Sequence, residues 1–562
     1  MKEKFQIIIF AGFLVLAASL FRVFSGPFYF GNNSDPSYFY FYNFLYILEG
    51  KSPQFVDHPG STLDMLGALV VKIFFNAHAG AAWFLADTQH VERVLGLVWV
   101  FMILPYAATL VWLGVYVFEK SRDRIFTALV LFSGLWMIII PSFSARGVLP
   151  ISANVNSDTM MMTAVNLMLL AMMRFYFSSK PKAWSQAVVL GAAAAFAMAT
   201  KFTALPFLVV AFCMMITWPQ RILTGIVVSA GFILLTCPIW GSYSHMMSWV
   251  KGLIFSKGMH GTGGEGFDGA QYLRNVFWVI KNYWFFVAGW LAAGLTAIRG
   301  NISGNPNIRR LLLSMALGGL TQIIIVAKQP SYQYMAPMIG LSSLVLAFLY
   351  KGFPDWWERG LKAATVLMLL VCAGLIGIRL WQVNQTTCKT QAMLDTIARD
   401  YAQCRVCPVY RSSAPGFAFV FWNRVLNRED YSSILKTSYP DLVYYDIFGH
   451  DFKDSSQQVI PLAALRQQAS RVLIYGSNQD PKNFEPDLTV RKIYTNGGSE
   501  ALYEVISARS TRAKEFFQMA MILYSQGRYE DALKAAVISR QLGLEQDISG
   551  FFELLKQKIQ GP

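Results

Sequence analysis

A few polar residues stand out in an otherwise apolar chain, because their types could move protons or hold anions. Two are carboxylates where helices are expected to start: Asp35 in Gly31-Asn32-Asn33-Ser34-Asp35-Pro36-Ser37-Tyr38, and Asp158 in Asn154-Val155-Asn156-Ser157-Asp158-Thr159. An aspartate ahead of a helix accepts bonds from its first amides, so each reads as a cap. A carboxylate fixed in that way also points in one direction, so capping and proton transfer are compatible. Two more are ammonium groups: Lys201 in Ala199-Thr200-Lys201-Phe202-Thr203, and Lys328 ahead of Gln329-Pro330-Ser331-Tyr332-Gln333-Tyr334. A lysine in either place could hold a phosphate, or could run its stem along apolar surface to the lipid headgroups. His58 lies in Asp57-His58-Pro59-Gly60-Ser61-Thr62. A further segment carries His245, Lys251, Lys257, His260 and Glu265 around Gly261-Thr262-Gly263-Gly264, the composition of a loop that is either ligand-gated or merely flexible. Asp35, Asp158, His245 and Glu265 could hold a divalent metal only if the fold brings them together, so metal use stays open.

The elements that position these residues are helices crossing a membrane. The 562-residue chain is 54% hydrophobic and 14% charged, against about 25% charged in a soluble domain. The deficit is confined to residues 5–380. A helix needs about 20 apolar residues to cross the hydrocarbon, where its own amides must satisfy one another. The runs 5–24, 91–118, 125–145, 158–177, 184–200, 203–217, 222–240, 273–295, 309–327, 333–350 and 361–380 meet that need, giving about eleven spans. The stretch 62–79 is interrupted by Asp64, Lys72 and His78, and reads as part of a first external loop lying partly along the membrane surface. The first run follows Lys2 and Lys4 as a signal peptide would, but bulky Leu20-Phe21-Arg22-Val23 offers no cleavage site, so an uncleaved helix is expected.

Parity then orients the chain. With the N-terminus inside, the inner loops carry Lys120, Arg122 and Arg124; Lys180 and Lys182; Arg221; Arg299, Arg309 and Arg310; and Lys351, Arg359 and Lys362. All obey the positive-inside rule. The outer loops are about 25–90, 146–157, 241–272 and 328–332, so Asp35, His58, Asp158, Lys201, His245 and Lys328 share the outer face. The localisation expected is a bacterial inner membrane, with the N-terminus cytoplasmic and the C-terminal part periplasmic. The net charge of +15 is accounted for by these loops, and nucleic acid is not an expected partner.

From about residue 385 the pattern becomes that of a soluble mixed α/β protein. Short strands are expected at 443–445, 471–476 and 501–506, and helices at 391–402 and 461–470. The last fifty residues read as helical, and Leu523-Tyr524-x-x-Gly527-x-Tyr529-x-x-Ala532 resembles one tetratricopeptide-type hairpin, suited to capping or to docking a protein partner. No nucleophile elbow or dinucleotide loop occurs there. Of the six cysteines, Cys388, Cys404 and Cys407 lie in this tail, where one pair could be oxidised outside the cytoplasm.

The arrangement resembles the GT-C superfamily of integral-membrane glycosyltransferases, and among them the bacterial relatives of protein O-mannosyltransferases and lipid A aminoarabinose transferases. The residues that carry the resemblance are Asp35 after the first span, His58-Pro59-Gly60 later in that loop, and Ser157-Asp158 opening a helix. To these are added the turn Ala199-Thr200-Lys201-Phe202-Thr203-Ala204-Leu205 and the Tyr334-Met335-Ala336-Pro337 start of a late span. The chain departs from the family in having Ser34-Asp35 where two acidic residues are common, and Gln333 where Arg or His is common. The resemblance implies a GT-C-like transmembrane catalytic domain at 1–380, an extracytoplasmic α/β domain at 381–508 and a helical hairpin at 509–562. It also implies an inverting transfer of sugar from a polyprenyl-phosphate donor to a glycan, lipid or protein acceptor. Asp35 would then be the general base. Lys201 and Lys328 would offset charge on the leaving phosphate. Asp158 and His58 would orient the acceptor or the base, with Tyr334 and His245 as further substrate contacts.

Rival readings are a lipid-linked-sugar flippase or transporter, an O-antigen ligase or polymerase, and a noncatalytic assembly protein. A transporter tends to show repeated halves and polar residues at the bilayer midplane. Here no halves echo one another, and the polar residues gather at one face.

Overall fold

The computed structural model describes residues 2–30, 37–75, 80–141, 149–180, 183–257, 266–299, 306–352, 358–410, 412–425, 431–447, 449, 451–477, 488–495, 497, 500–508, 510–541 and 549–560. The chain forms two compact units. The first comprises Met1–Phe28, Asn33–Ala81 and Gln89–Asn384; the second comprises Tyr29–Asn32, Ala82–Thr88 and Gln385–Pro562.

Through residue 400 the chain is helical. The helices are α1 (Lys2–Phe24), α2 (Ser37–Leu48), α3 (Ser61–Phe74), α4 (Gly80–Ala86), α5 (Thr88–Ser121), α6 (Arg124–Ile139), α7 (Ser157–Tyr176), α8 (Trp184–Thr200), α9 (Leu205–Met214) and α10 (Trp218–Leu235). They continue as α11 (Tyr243–Phe255), α12 (Gly269–Asn282), α13 (Trp284–Arg299), α14 (Pro306–Lys328), α15 (Ala336–Leu341), α16 (Ser343–Gly352) and α17 (Glu358–Asp400). Among the described residues seven segments are long and apolar enough to cross a membrane, or eight if α12 and α13, bent by 89°, count as one. The protein is therefore a polytopic membrane protein. The other expected runs are helical but short: α6 has 16 residues, α8 has 17 and α9 has 10. At 1.5 Å per residue these reach about 15–26 Å, less than the roughly 30 Å of hydrocarbon. The run 361–380 and the helix expected at 391–402 are one continuous helix, α17, because nothing in Trp381–Thr390 breaks it.

One end of the first unit is laced by ion pairs. Lys4 meets Glu119, Arg124 lies 2.5 Å from Glu3, and Lys351 lies 2.6 Å from Asp123. Asp123 caps α6 by accepting from the amides of Ile125 and Phe126. The start of α1, the end of α5 and the end of α16 therefore lie together. Between helices the packing depends on small residues: a Cβ on Gly114 would lie 2.7 Å from Ile7, and one on Gly134 would lie 2.7 Å from Leu14.

Among its described residues the second unit holds seven strands: β1 (Arg405–Pro408), β2 (Val443–Asp446), β3 (Asp451–Asp454), β4 (Val459–Ile460), β5 (Val472–Ser477), β6 (Leu488–Thr495) and β7 (Glu500–Ala508). One sheet runs β1-β5-β7-β6, with β1 parallel to β5 and the rest antiparallel; the other runs β2-β3-β4. Helices α18 (Phe417–Val425), α19 (Ser432–Ser438) and α20 (Leu462–Gln468) accompany them. Cys407, Val409, Ile474, Ala501 and Tyr503 belong to the buried core. The three expected strands are β2, β5 and β7. Strands β1, β3, β4 and β6 carry too little apolar alternation to stand out in sequence. Cys407 is buried on β1, whereas Cys388 on α17 is exposed.

The chain ends in α21 (Ser510–Ser525), α22 (Tyr529–Gln541) and α23 (Ser549–Gln560). Gly527, at φ +76°, turns α21 into α22. The amides of Gly527 and Arg528 donate to the carbonyls of Tyr524 and Leu523, as in a Schellman cap. Ala520, Ala532, Ala536 and Leu555 pack where the three helices meet.

Candidate functional site

Helix α2 is aromatic on every side, and every residue from Ser37 to Tyr46 is buried. A helix apolar all round belongs inside the protein, so the first loop is packed structure. Its few polar groups tie it down. Asn43 exchanges bonds with the backbone of Phe55, and its Nδ2 lies 3.2 Å from Asp64 Oδ2. Asp64 is fully buried at the start of α3, and burial pushes its carboxyl well above the ordinary carboxylate range, the bond from Asn43 opposing this. Gly60 precedes α3 with φ +61°, and a Cβ there would lie 3.1 Å from the Tyr40 ring. The glycine of His58-Pro59-Gly60 is thus required by backbone conformation.

The segment around Gly60 docks on the turn that bears Lys201. The Gly60 amide donates to the Thr200 carbonyl at 3.3 Å, Ser61 Oγ donates to the Ala199 carbonyl at 3.2 Å, and Thr62 and Thr200 hydroxyls meet at 2.9 Å. On the other side, Tyr40 Oη donates to Ser157 Oγ at 3.0 Å, and the Val155 amide donates to Ser37 Oγ at 3.1 Å. Arg22, at the end of α1, holds the Ala153 carbonyl at 2.7 Å. Four stretches far apart in sequence therefore converge at the start of α7.

Asp158 and Lys201 meet there. Lys201 Nζ lies 2.9 Å from both Asp158 oxygens, and the two residues are 1% and 0% exposed. Two expectations are corrected. Asp158 is not the helix cap: Asn156 is, accepting from the Thr159 amide at 3.0 Å, because Asp158 is one residue inside the helix and turns to the lysine. Nor does Lys201 snorkel to headgroups, because its ammonium is sealed from solvent by the aspartate and by Tyr334, whose ring centroid is 5.0 Å away.

Tyr334 continues the site outward. Its ring stands edge-on to His58 at 5.9 Å, and His58 stands edge-on to Trp249 at 5.4 Å. Sequence reading missed Gln322, which is fully buried on α14. Its Nε2 lies 2.8 Å from the Tyr334 carbonyl and 3.3 Å from the Thr203 carbonyl, joining the turns that carry Tyr334 and Lys201. An uncharged glutamine inside an apolar run was the available signal.

His58 and Tyr334 are among the residues lining a cavity of about 690 Å³, walled also by Phe202, Leu253, Ile324 and other apolar side chains. Lys328 lines it too, its Nζ bonded to the Ser256 carbonyl and 5.4 Å from the Phe267 ring centroid. His245 stands apart from this cavity, exposed and 4.0 Å from Asp57 Oδ1. Asp35, His260 and Glu265 lie outside the described residues. Among the described residues no three His, Cys, Asp or Glu side chains gather as a metal would need.

Fold and site define a polytopic α-helical membrane protein with a mixed α/β C-terminal part and a buried carboxylate–ammonium pair near an apolar cavity. No family model matches the chain, and no curated protein matches it. Among solved structures it is similar to the crystal structure of ArnT from Cupriavidus metallidurans bound to undecaprenyl phosphate. That likeness covers 88% of this chain and 97% of that chain, at 14% identity and a TM-score of 0.43.

Proposed function

We propose that the protein is a GT-C-type membrane glycosyltransferase that moves a sugar from a polyprenyl-phosphate donor to an acceptor hydroxyl at the outer face of the membrane. The observation that carries this reading is a large apolar cavity with a cation, Lys328, and with His58 and Tyr334 among its lining residues, the Tyr334 ring also lying against the Asp158–Lys201 pair. An apolar cavity suits a prenyl chain, and an ammonium group suits the phosphate that joins chain to sugar. The orientation rests on the basic residues at the ion-paired end, which the positive-inside rule assigns to the cytoplasm.

In this reading Asp35 takes the proton of the acceptor hydroxyl as its oxygen attacks the sugar C1. The C1–phosphate bond breaks on the opposite face, inverting that carbon, and polyprenyl phosphate leaves with its charge offset by Lys328. Lys201 acts from behind Tyr334. Its charge is shared with Asp158, so its main task is to hold the loops that carry the acceptor-side groups. Ser37, two residues after Asp35 in sequence, accepts from the amide of Val155, three residues before Asp158. His58 and Tyr334 offer aromatic faces to the sugar, and His245 is a further substrate contact. The acceptor is a glycan, lipid or protein, and the C-terminal helices are a place for a protein partner.

The test is transfer of labelled sugar from a panel of polyprenyl-phosphate sugars by purified protein in lipid, with wild type and Asp35→Asn compared. Turnover by wild type and near-complete loss in the variant, with unchanged folding, is expected. Equal turnover in both removes Asp35 from the mechanism. Wild-type protein that binds none of the donors removes the reading altogether.

A further inference from the structure

Helix α12 turns an apolar stripe away from the protein. On the side that packs on the protein Val279 is buried and polar side chains donate hydrogen bonds. Tyr272 Oη donates to the Ile324 carbonyl at 3.0 Å, and Asn275 Nδ2 donates to the Ala327 carbonyl at 2.8 Å. Just beyond the helix, Tyr283 Oη donates to the Tyr332 carbonyl at 3.1 Å. The Ala327 carbonyl belongs to the last turn of α14, whose carbonyls have no amides of their own helix to accept from, and Ile324 lies just ahead of that turn. The outward side is apolar: Leu273 is 59% exposed, Phe277 70% and Ile280 38%. Spaced by four and three residues, they form one stripe. Arg274 and Lys281, both exposed, lie beside it.

The bend says what covers that stripe. α12 meets α13 at 89°, so if α13 crosses the bilayer, α12 lies in its plane. α13 has 16 residues and reaches about 24 Å, roughly 6 Å short of the hydrocarbon thickness. With Arg299 held at one headgroup layer, the other end of α13 stops short of the opposite layer. That places α12 at the depth where amphipathic helices settle, about 5–10 Å into the headgroup–acyl boundary.

We infer that α12 is an interfacial helix, with Leu273, Phe277 and Ile280 immersed at the headgroup–acyl boundary of the bilayer and Arg274 and Lys281 reaching the lipid phosphates. The inference does not rest on the proposed activity. It does bear on access, since Tyr272 of the same helix lines the cavity, so the cavity wall stands at the lipid interface.

The experiment places a nitroxide side chain at position 277, and separately at 273 and 274, in the full-length protein reconstituted in lipid vesicles. Collision with oxygen and with a water-soluble nickel chelate gives the depth of each. Labels at 273 and 277 are expected within about 5–10 Å below the phosphates, with 274 shallower and more open to nickel. A label at 277 open to nickel, as in bulk water, overturns the inference. So does a label near the bilayer centre, which makes α12 and α13 one broken span, or a label shielded from both reagents, which means that protein covers the stripe. Agreement between 273 and 277 guards against local damage by one label.

Discussion

Lys201 Nζ lies 2.9 Å from each carboxylate oxygen of Asp158, and neither residue is reached by solvent. The pair joins the end of α8 to the start of α7, so it fixes two loops as well as two charges. Burying such a pair costs desolvation on both sides, and its mutual attraction offsets that cost only while both partners are present. Removing either one is therefore expected to destabilise the protein by about 3–5 kcal/mol. The joint change Asp158→Leu with Lys201→Met is expected to recover most of that loss without recovering the proposed sugar transfer. Apparent unfolding temperature in detergent and turnover, measured on both single variants and the double, check the two halves. A double variant as unstable as the singles removes the uncompensated charge as the cause.

Gln322 donates to the carbonyls of Thr203 and Tyr334. Gln322→Leu leaves both carbonyls buried without that donor, at a cost of about 1–3 kcal/mol. The turns bearing Lys201 and Tyr334 should then drift apart, and turnover should fall roughly 10- to 100-fold, as small misplacements at reacting centres do. Donor affinity should change less than turnover. A fall in affinity with turnover intact would show that Gln322 serves the cavity instead of the pair.

Asp64 gives a pH signature. Its folded carboxyl holds a proton to higher pH than an unfolded aspartate, which titrates near about 3.9. The stability this group contributes is thus fully present below that value and lost as pH rises toward its folded pKa. Asp64→Asn keeps the shape and the bond from Asn43 but cannot ionise. The variant should unfold at a higher temperature than wild type at pH 8, with the gap closing toward pH 4. A gap independent of pH would exclude ionisation as its source.

The C-terminal thiols differ in reach. Cys407 is buried on β1, and burial pushes its thiol up to about 12, while Cys388 is exposed on α17. Only the thiolate attacks readily. Brief alkylation of the folded protein at pH 8 should modify Cys388 and leave Cys407 untouched until denaturant is added, as read by mass spectrometry of peptides. Early labelling of Cys407 would mean that the β1 edge opens readily.

Much of this was legible along the chain. Apolar runs broken by basic loops declare a membrane protein, because hydrocarbon tolerates no unpaired amide and little charge. Ser157-Asp158 was readable as the opening of a helix, and α7 starts there. Three strands of the C-terminal unit were readable because β-branched and aromatic residues concentrate there. Sequence could not say that Asp158 and Lys201, separated by 43 positions, share one bond, nor that Asn156 caps α7 in place of Asp158. Both depend on where α7 and α8 lie in space. Gln322 was invisible for the same reason, since its partners are carbonyls, which every residue has. The sequence by itself determined solvent: which stretches belong in lipid and which in water, a property of each residue's own transfer free energy. The tertiary structure alone decided pairing, including which carbonyls of α14 the side chains of α12 meet, because contacts between distant segments are set by packing and not by any local pattern.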